Sequence, residues 1–95
     1  MTVKVHVTSV IQKVVDGQRE FDGDGKTVAE LIANIDRCYP GFAQQLMDEH
    51  GNLHRFVNIY LNDEDVRYLQ GQETPLADGD SVSILPALAG GAGAR

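Results

Sequence analysis

Apolar Val3, Val5 and Val7 alternate with Lys4, His6 and Thr8, the two-residue period of a strand buried on one face. Asp16-Gly17 marks a turn, and Gln18 to Asp22 reads as a second strand pairing with the first as a hairpin, with only Phe21 clearly apolar. The period then changes. Val28, Leu31, Ile32, Ile35, Cys38 and Tyr39 follow the three-and-four spacing of an amphipathic helix. Thr27 and Glu30 form a capping box at its start, and Tyr39-Pro40-Gly41 ends it. A shorter helical turn is predicted over Phe42 to Met47. Phe56 to Leu61 carries the best strand pattern, with Val57, Ile59 and Leu61 on one face and Phe56, Asn58 and Tyr60 on the other. After the turn at residues 62–65, Val66 to Leu69 is predicted as a short edge strand. A last strand runs from Asp80 to Leu85 with Val82 and Ile84 inward, and Pro86, lacking an N–H, stops further pairing.

This order of elements predicts an α+β domain: one main helix packed across one face of a mixed four- to five-stranded sheet. Roughly a dozen buried Val, Leu, Ile and Phe side chains at about 1.5–3 kcal/mol each can offset the ordering entropy without metal or disulfide. The 95 residues suit a single domain, and the one cysteine, Cys38, sits on the helix's apolar stripe, where core packing explains it better than nucleophilic chemistry. No apolar run is long enough to span a membrane and the N-terminus does not read as a signal segment, so a cytoplasmic protein without a membrane partner is expected. The net charge of −6 argues against a nucleic-acid partner. It suits a basic protein surface, and equally serves solubility alone.

Self-contained chemistry is hard to find. Gly25-Lys26-Thr27 sits where a phosphate loop would, but the first glycine of that motif is replaced by Glu20 and the approach carries Asp22 and Asp24. Thr27 as a helix cap explains the same residues. His50 and His54 are separated by Gly51-Asn52, which breaks any helix that would align them on a metal. Asp63-Glu64-Asp65 fails the calcium-loop pattern because Arg67 stands at position five. Ser9, Ser81 and Ser83 have no His–Asp companions legible in the sequence. The chain reads as the substrate or partner of enzymes, with no catalytic residue, metal or cofactor of its own.

The last residues suggest what is acted upon. From Ala87 to Arg95 only Leu88 and Arg95 carry a side chain larger than methyl, which predicts a flexible arm, the six residues from Pro86 to Gly91 reaching roughly 20 Å. Glycine passes where any Cβ would collide, so Gly90-Gly91 suits delivery of a carboxylate into another protein's narrow active site. Phe56 and Tyr60 on the open sheet face, flanked by Leu85 and Ala87 and followed by Leu88, form a candidate docking patch at the root of that arm. Cross-strand aromatic pairing is the plain alternative. The folded unit is placed at residues 1–89 and the tail at 90–95.

The strand order, the central helix, the stretch from Phe56 to Arg67, Leu76-Ala77-Asp78-Gly79-Asp80-Ser81-Val82 and Gly90-Gly91 together resemble the ubiquitin-like sulfur-carrier proteins of the ThiS/MoaD superfamily, nearest to the CysO type of bacterial cysteine biosynthesis. The resemblance implies a β-grasp fold. It also implies that an ATP-dependent, E1-like adenylating enzyme activates the Gly91 carboxylate, and that sulfide or a persulfide turns it into a thiocarboxylate. Ala89 and Gly90 would thread the enzyme's tunnel. A PLP-dependent cysteine synthase or another sulfur-accepting synthase would receive the sulfur, and a JAMM-type zinc metalloprotease would release the product. In this chain Ala92-Gly93-Ala94-Arg95 follows the glycine pair, so cleavage between Gly91 and Ala92 is expected first, by a protease of the same kind. A ubiquitin-like modifier conjugated through Gly91, a molybdopterin-synthase small subunit and a non-covalent interaction module are the competing readings.

Overall fold

The alternating valines form β1, Thr2–Val7, an inner strand of a five-stranded sheet. The computed structural model describes residues 2–54 and 57–86. Across the sheet the order is β2 (Glu20–Asp24), β1, β5 (Ser81–Pro86), β3 (Val57–Leu61) and β4 (Glu64–Asp65). β1 and β5 run parallel and the other neighbours antiparallel. The main helix, α2 (Val28–Cys38), crosses one face and buries Val28, Leu31, Ile32 and Ile35 against Val3, Val5, Ile59, Val82 and Ile84. This is the β-grasp arrangement.

The capping box is present with its second half displaced by one residue. Thr27 Oγ1 accepts from the Glu30 N–H at 3.2 Å, while Glu30 Oε1 accepts from the Lys26 N–H at 2.9 Å. A further orphan donor, the Val28 N–H, reaches the Thr74 carbonyl at 3.1 Å. Two glycines let α2 lie close to the sheet. A Cβ on Gly23 would come within 2.6 Å of Leu31 Cδ1, and one on Gly25 within 2.6 Å of the Leu31 backbone nitrogen. Gly25 is therefore explained by helix packing, with Thr27 as the helix cap.

Four sequence expectations shift. β2 starts two residues later than predicted, because the chain first makes α1 (Ser9–Gln12) and a 3₁₀ turn, Lys13–Val15, which bury Ile11 and Val15 in the core. Asp16-Gly17 does turn the chain, both residues having positive φ. The edge strand expected at Val66 to Leu69 is instead a 3₁₀ turn, Val66–Tyr68, whose start is capped by Asp65 Oδ1 accepting from the Arg67 N–H at 2.9 Å. The strand before it is only Glu64–Asp65. At the end of the sheet, Pro86 still occupies a ladder position, opposite Val57. Finally, Cys38 is exposed, not part of the core. It lies in the last turn of α2, past Ile35, and Tyr39 takes the inward position instead, its ring edge-on to Phe21 at 6.0 Å.

Candidate functional site

The face of the sheet away from α2 is open, and alternation decides what it carries. With Val57, Ile59, Val82 and Ile84 buried on the helix side, Asn58 and Tyr60 of β3 and Ser81, Ser83 and Leu85 of β5 point the other way. Tyr60 stands between Ser83 and Asp65, and Asn58 stands opposite Leu85. Leu85 is 38% exposed, an apolar side chain on the open face one residue before Pro86. The expected placement of Tyr60 and Leu85 on one open face is therefore correct. Phe56, Ala87 and Leu88, the other three patch residues, and Ala89, Gly90, Gly91 and Ala92 lie outside the described residues.

Three polar devices fix the sheet, two at the start of β5 and one at the opposite end, beside Val57 and Asn58. Asn62 and Asp80 lock the turn after β3 to the start of β5: Asn62 Nδ2 donates to Asp80 Oδ1 at 3.0 Å and Asn62 Oδ1 accepts from the Ser81 N–H at 3.0 Å. Asp80 Oδ2 also accepts from the Ala77 N–H at 2.8 Å. Asp78 and Gly79 fasten β1, through Asp78 Oδ1 accepting the Thr2 N–H and the Gly79 N–H reaching the Thr2 carbonyl. The third device is Arg67, whose Nη1 donates to Asn58 Oδ1 and whose Nη2 donates to the Val57 carbonyl and, at 3.4 Å, to that of His54. Sequence reasoning gave Arg67 no such role, since nothing along the chain tells that its guanidinium folds back over residues thirteen to nine positions earlier. It also passed over Tyr68 in the same turn, which at 85% is the most exposed large apolar side chain among the described residues.

The β1–β2 half of the open face is different in kind. Lys4 Nζ lies 3.4 Å from Glu20 and 3.3 Å from Asp22, and their hydrogen bonds and charges, Asp22 first, raise its pKa above the ordinary lysine value. His6 Nδ1 is 3.3 Å from Glu20. A cleft of about 460 Å³ opens on the helix side of β2, between it and α2, with Phe21, Ile35, Cys38 and Tyr39 among its walls. No group of three or more His, Cys, Asp or Glu side chains is placed to hold a metal ion among the described residues. No helix among them is long and apolar enough to cross a membrane.

The described residues thus offer an uncharged β3–β5 half-face running to Pro86, and among them no set of groups converges on a reacting atom. The sequence profile of the ThiS family matches residues 8–91, stopping at the second glycine of the pair. The chain belongs to the ThiS family. Within it, the chain is 46% identical over 93 residues to the sulfur carrier protein CysO of Mycobacterium tuberculosis, covering 96% of this chain and all of that one. The crystal structure of M. tuberculosis CysO superposes with a TM-score of 0.86 at 44% identity, covering 90% of this chain and 99% of that one. An Amycolatopsis orientalis structure, a BexX/CysO complex, matches with a TM-score of 0.87 at 39% identity, over 94% of this chain and 99% of the matched chain. These ThiS-family relatives are carriers, not enzymes, and the likeness supports a sulfur-carrier role of the CysO type for this chain.

Proposed function

We propose that this chain carries sulfur as a thiocarboxylate on Gly91, after residues 92–95 are removed. The observation that carries the proposal is the full-length likeness to the CysO carriers, with a family match that runs to Gly91 itself. The open half-face of Asn58, Tyr60, Ser83 and Leu85 supports it, because these uncharged side chains end at Leu85, six residues before Gly91 in the chain.

The chemistry follows from what a carboxylate cannot do. Its negative charge repels nucleophiles, so it must first be activated. An oxygen of the Gly91 carboxylate attacks the α-phosphorus of ATP and pyrophosphate leaves. Sulfide then adds to the acyl carbon, the bond to AMP breaks, and the sulfhydryl proton passes to solvent. The product stays ionised near neutral pH and is a soft nucleophile, as a thiolate is. Its sulfur forms a bond to the β-carbon of an activated serine derivative held by a PLP-dependent synthase, for cysteine formation or a related sulfur-incorporation reaction. The activating group on the serine oxygen departs with that oxygen and the bonding electron pair. An E1-like adenylating enzyme supplies the activation, and a JAMM-type zinc metalloprotease both trims the tail and releases the product. Trimming is required by the chemistry: with Ala92 attached, Gly91 has a peptide bond where the carboxylate must be.

Intact mass spectrometry of the protein purified from its native host tests this. The expected species ends at Gly91 with one oxygen replaced by sulfur, more abundant under sulfur demand. Only uncleaved chain, even under sulfur limitation, overturns the proposal. Gly91 joined by isopeptide bonds to other proteins, with no thiocarboxylate, replaces it with a modifier role.

A further inference from the structure

We propose that Arg67 is the positioning residue for this carrier chemistry: its guanidinium clamps the root of the tail, so that the chain leaves the sheet at one fixed point. The inference rests on the carrier reading above and adds a residue to it.

β3 needs such a clamp because its outer neighbour is too short. β4 pairs only with Tyr60 and Leu61, so among the described residues no strand lies beside the outer edge of β3 at Val57 and Asn58. Those two residues are the ones that face Pro86 and Leu85 across the ladder to β5. Arg67 stands in for the missing strand. One arm of its fork takes the Val57 carbonyl and the other the Asn58 side-chain oxygen. The His54 carbonyl, which already accepts the Val57 N–H at 2.9 Å, receives a third contact at 3.4 Å. The turn carrying Arg67 is itself held by Asp65 Oδ1 on its backbone N–H and by Val66, fully buried just before it. The clamp is thus anchored in the core at one end and at the other grips Val57 and Asn58, the residues that pair with Pro86 and Leu85.

The residue type matters. Two acceptors on one backbone segment, one main-chain and one side-chain, match the planar fork of a guanidinium, whereas a lysine ammonium is a point charge that can favour only one of them. The consequence for function is entropic. Gly91 lies five residues beyond Pro86, a reach of at most about 17 Å when extended. If Val57 and Pro86 fray apart, the stretch between the last paired residue and Gly91 lengthens, and more freedom must be given up when it enters an enzyme. That cost falls on binding the carrier and leaves the chemical step unchanged. Arg67 is exposed and lies outside the core cluster, so its removal should leave the fold standing.

The test is ATP–pyrophosphate exchange with the activating enzyme of the same organism, using carrier isolated from that host. Arg67→Met is expected to raise the KM for carrier about tenfold, with kcat within twofold. Arg67→Lys should recover part of the loss. Ile32→Val, which loosens the core beneath α2 instead, should leave KM unmoved. Amide exchange provides a readout independent of the enzyme: in Arg67→Met the Asn58 and Leu85 amides should exchange faster while those of Val5 and Val82 do not. An unchanged KM in Arg67→Met, or an equal rise in Ile32→Val, overturns the inference alone. A wild-type carrier that the enzyme does not accept overturns the carrier reading itself.

Discussion

The open sheet face is two surfaces side by side. On the β1–β2 half, Lys4, His6, Glu20 and Asp22 form a charged cluster whose members already engage one another. On the β3–β5 half, Asn58, Tyr60, Ser81, Ser83 and Leu85 carry no charge. Removing water from the first half means stripping ions, an expensive step that a partner must repay with matching charges. The second half loses water at little cost, as the centre of an interface does. The ladder hands the chain on at Pro86 from this second half. What the contrast teaches is that the uncharged half-face and Pro86 share one pair of strands, while the Lys4, His6, Glu20 and Asp22 cluster is kept apart from both.

The contrast assumes that the charged half is held from beneath, by the packing of α2, and that its ion pairs merely decorate it. The severest way to break it is Gly25→Ala. A Cβ there meets the Leu31 nitrogen at 2.6 Å and its Cα at 2.8 Å, backbone atoms that cannot swing aside. β2 and the start of α2 must part, and a stability loss of about 3 kcal/mol is expected in urea unfolding. A loss below about 1 kcal/mol would mean that the helix seat is softer than the close approach implies.

The next largest effect should come from putting charge into the uncharged half. Leu85→Asp is expected to lower kcat/KM for activation by about 30-fold or more, as for a residue at the centre of an interface. The Tm should change little, since Leu85 is already partly in water. If Leu85→Asp is activated normally while Lys4→Met is not, the two halves have been assigned the wrong way round.

Much of this division was legible along the chain, and what was not has physical reasons. The alternation of Val57, Ile59, Val82 and Ile84 fixes which side of β3 and β5 faces outward, so Tyr60 and Leu85 follow. The helix and its cap were equally plain, because period and capping are local. Long-range backbone capture was not: Arg67 reaching back to Val57 is a tertiary contact between a 3₁₀ turn and a strand edge. The segment from Ile11 to Val15 went unread because it is only a turn or two long, too short for a helical period to declare itself. Cys38 was misplaced because spacing alone extends an apolar stripe past the point where the helix still has sheet beneath it. The contrast between the halves of the open face rests on register, which the hairpin signal does not give; only the observed pairing of Lys4 with Asp22 and His6 with Glu20 sets the charges beside each other.

Lys4→Met gives the smallest effect and the finest test. The side chain is half exposed and the ion pairs lie in water, where such contacts contribute little, so near neutral pH the Tm should move by no more than about 3 °C. The sign of the remaining effect is fixed by linkage. Asp22 and Glu20 raise the Lys4 pKa above its ordinary value of 10.5, so the folded state holds this proton more tightly than the unfolded chain does. Its contribution is therefore fully present below the unfolded pKa and disappears as pH rises through the higher folded value. Wild type and Lys4→Met should differ slightly in Tm up to about pH 10 and converge above that. A difference that grows with pH in this window would mean that the lysine is destabilised by its surroundings. The charged half would then be a strained surface waiting for an anionic partner, and the separation of charge from docking would fail.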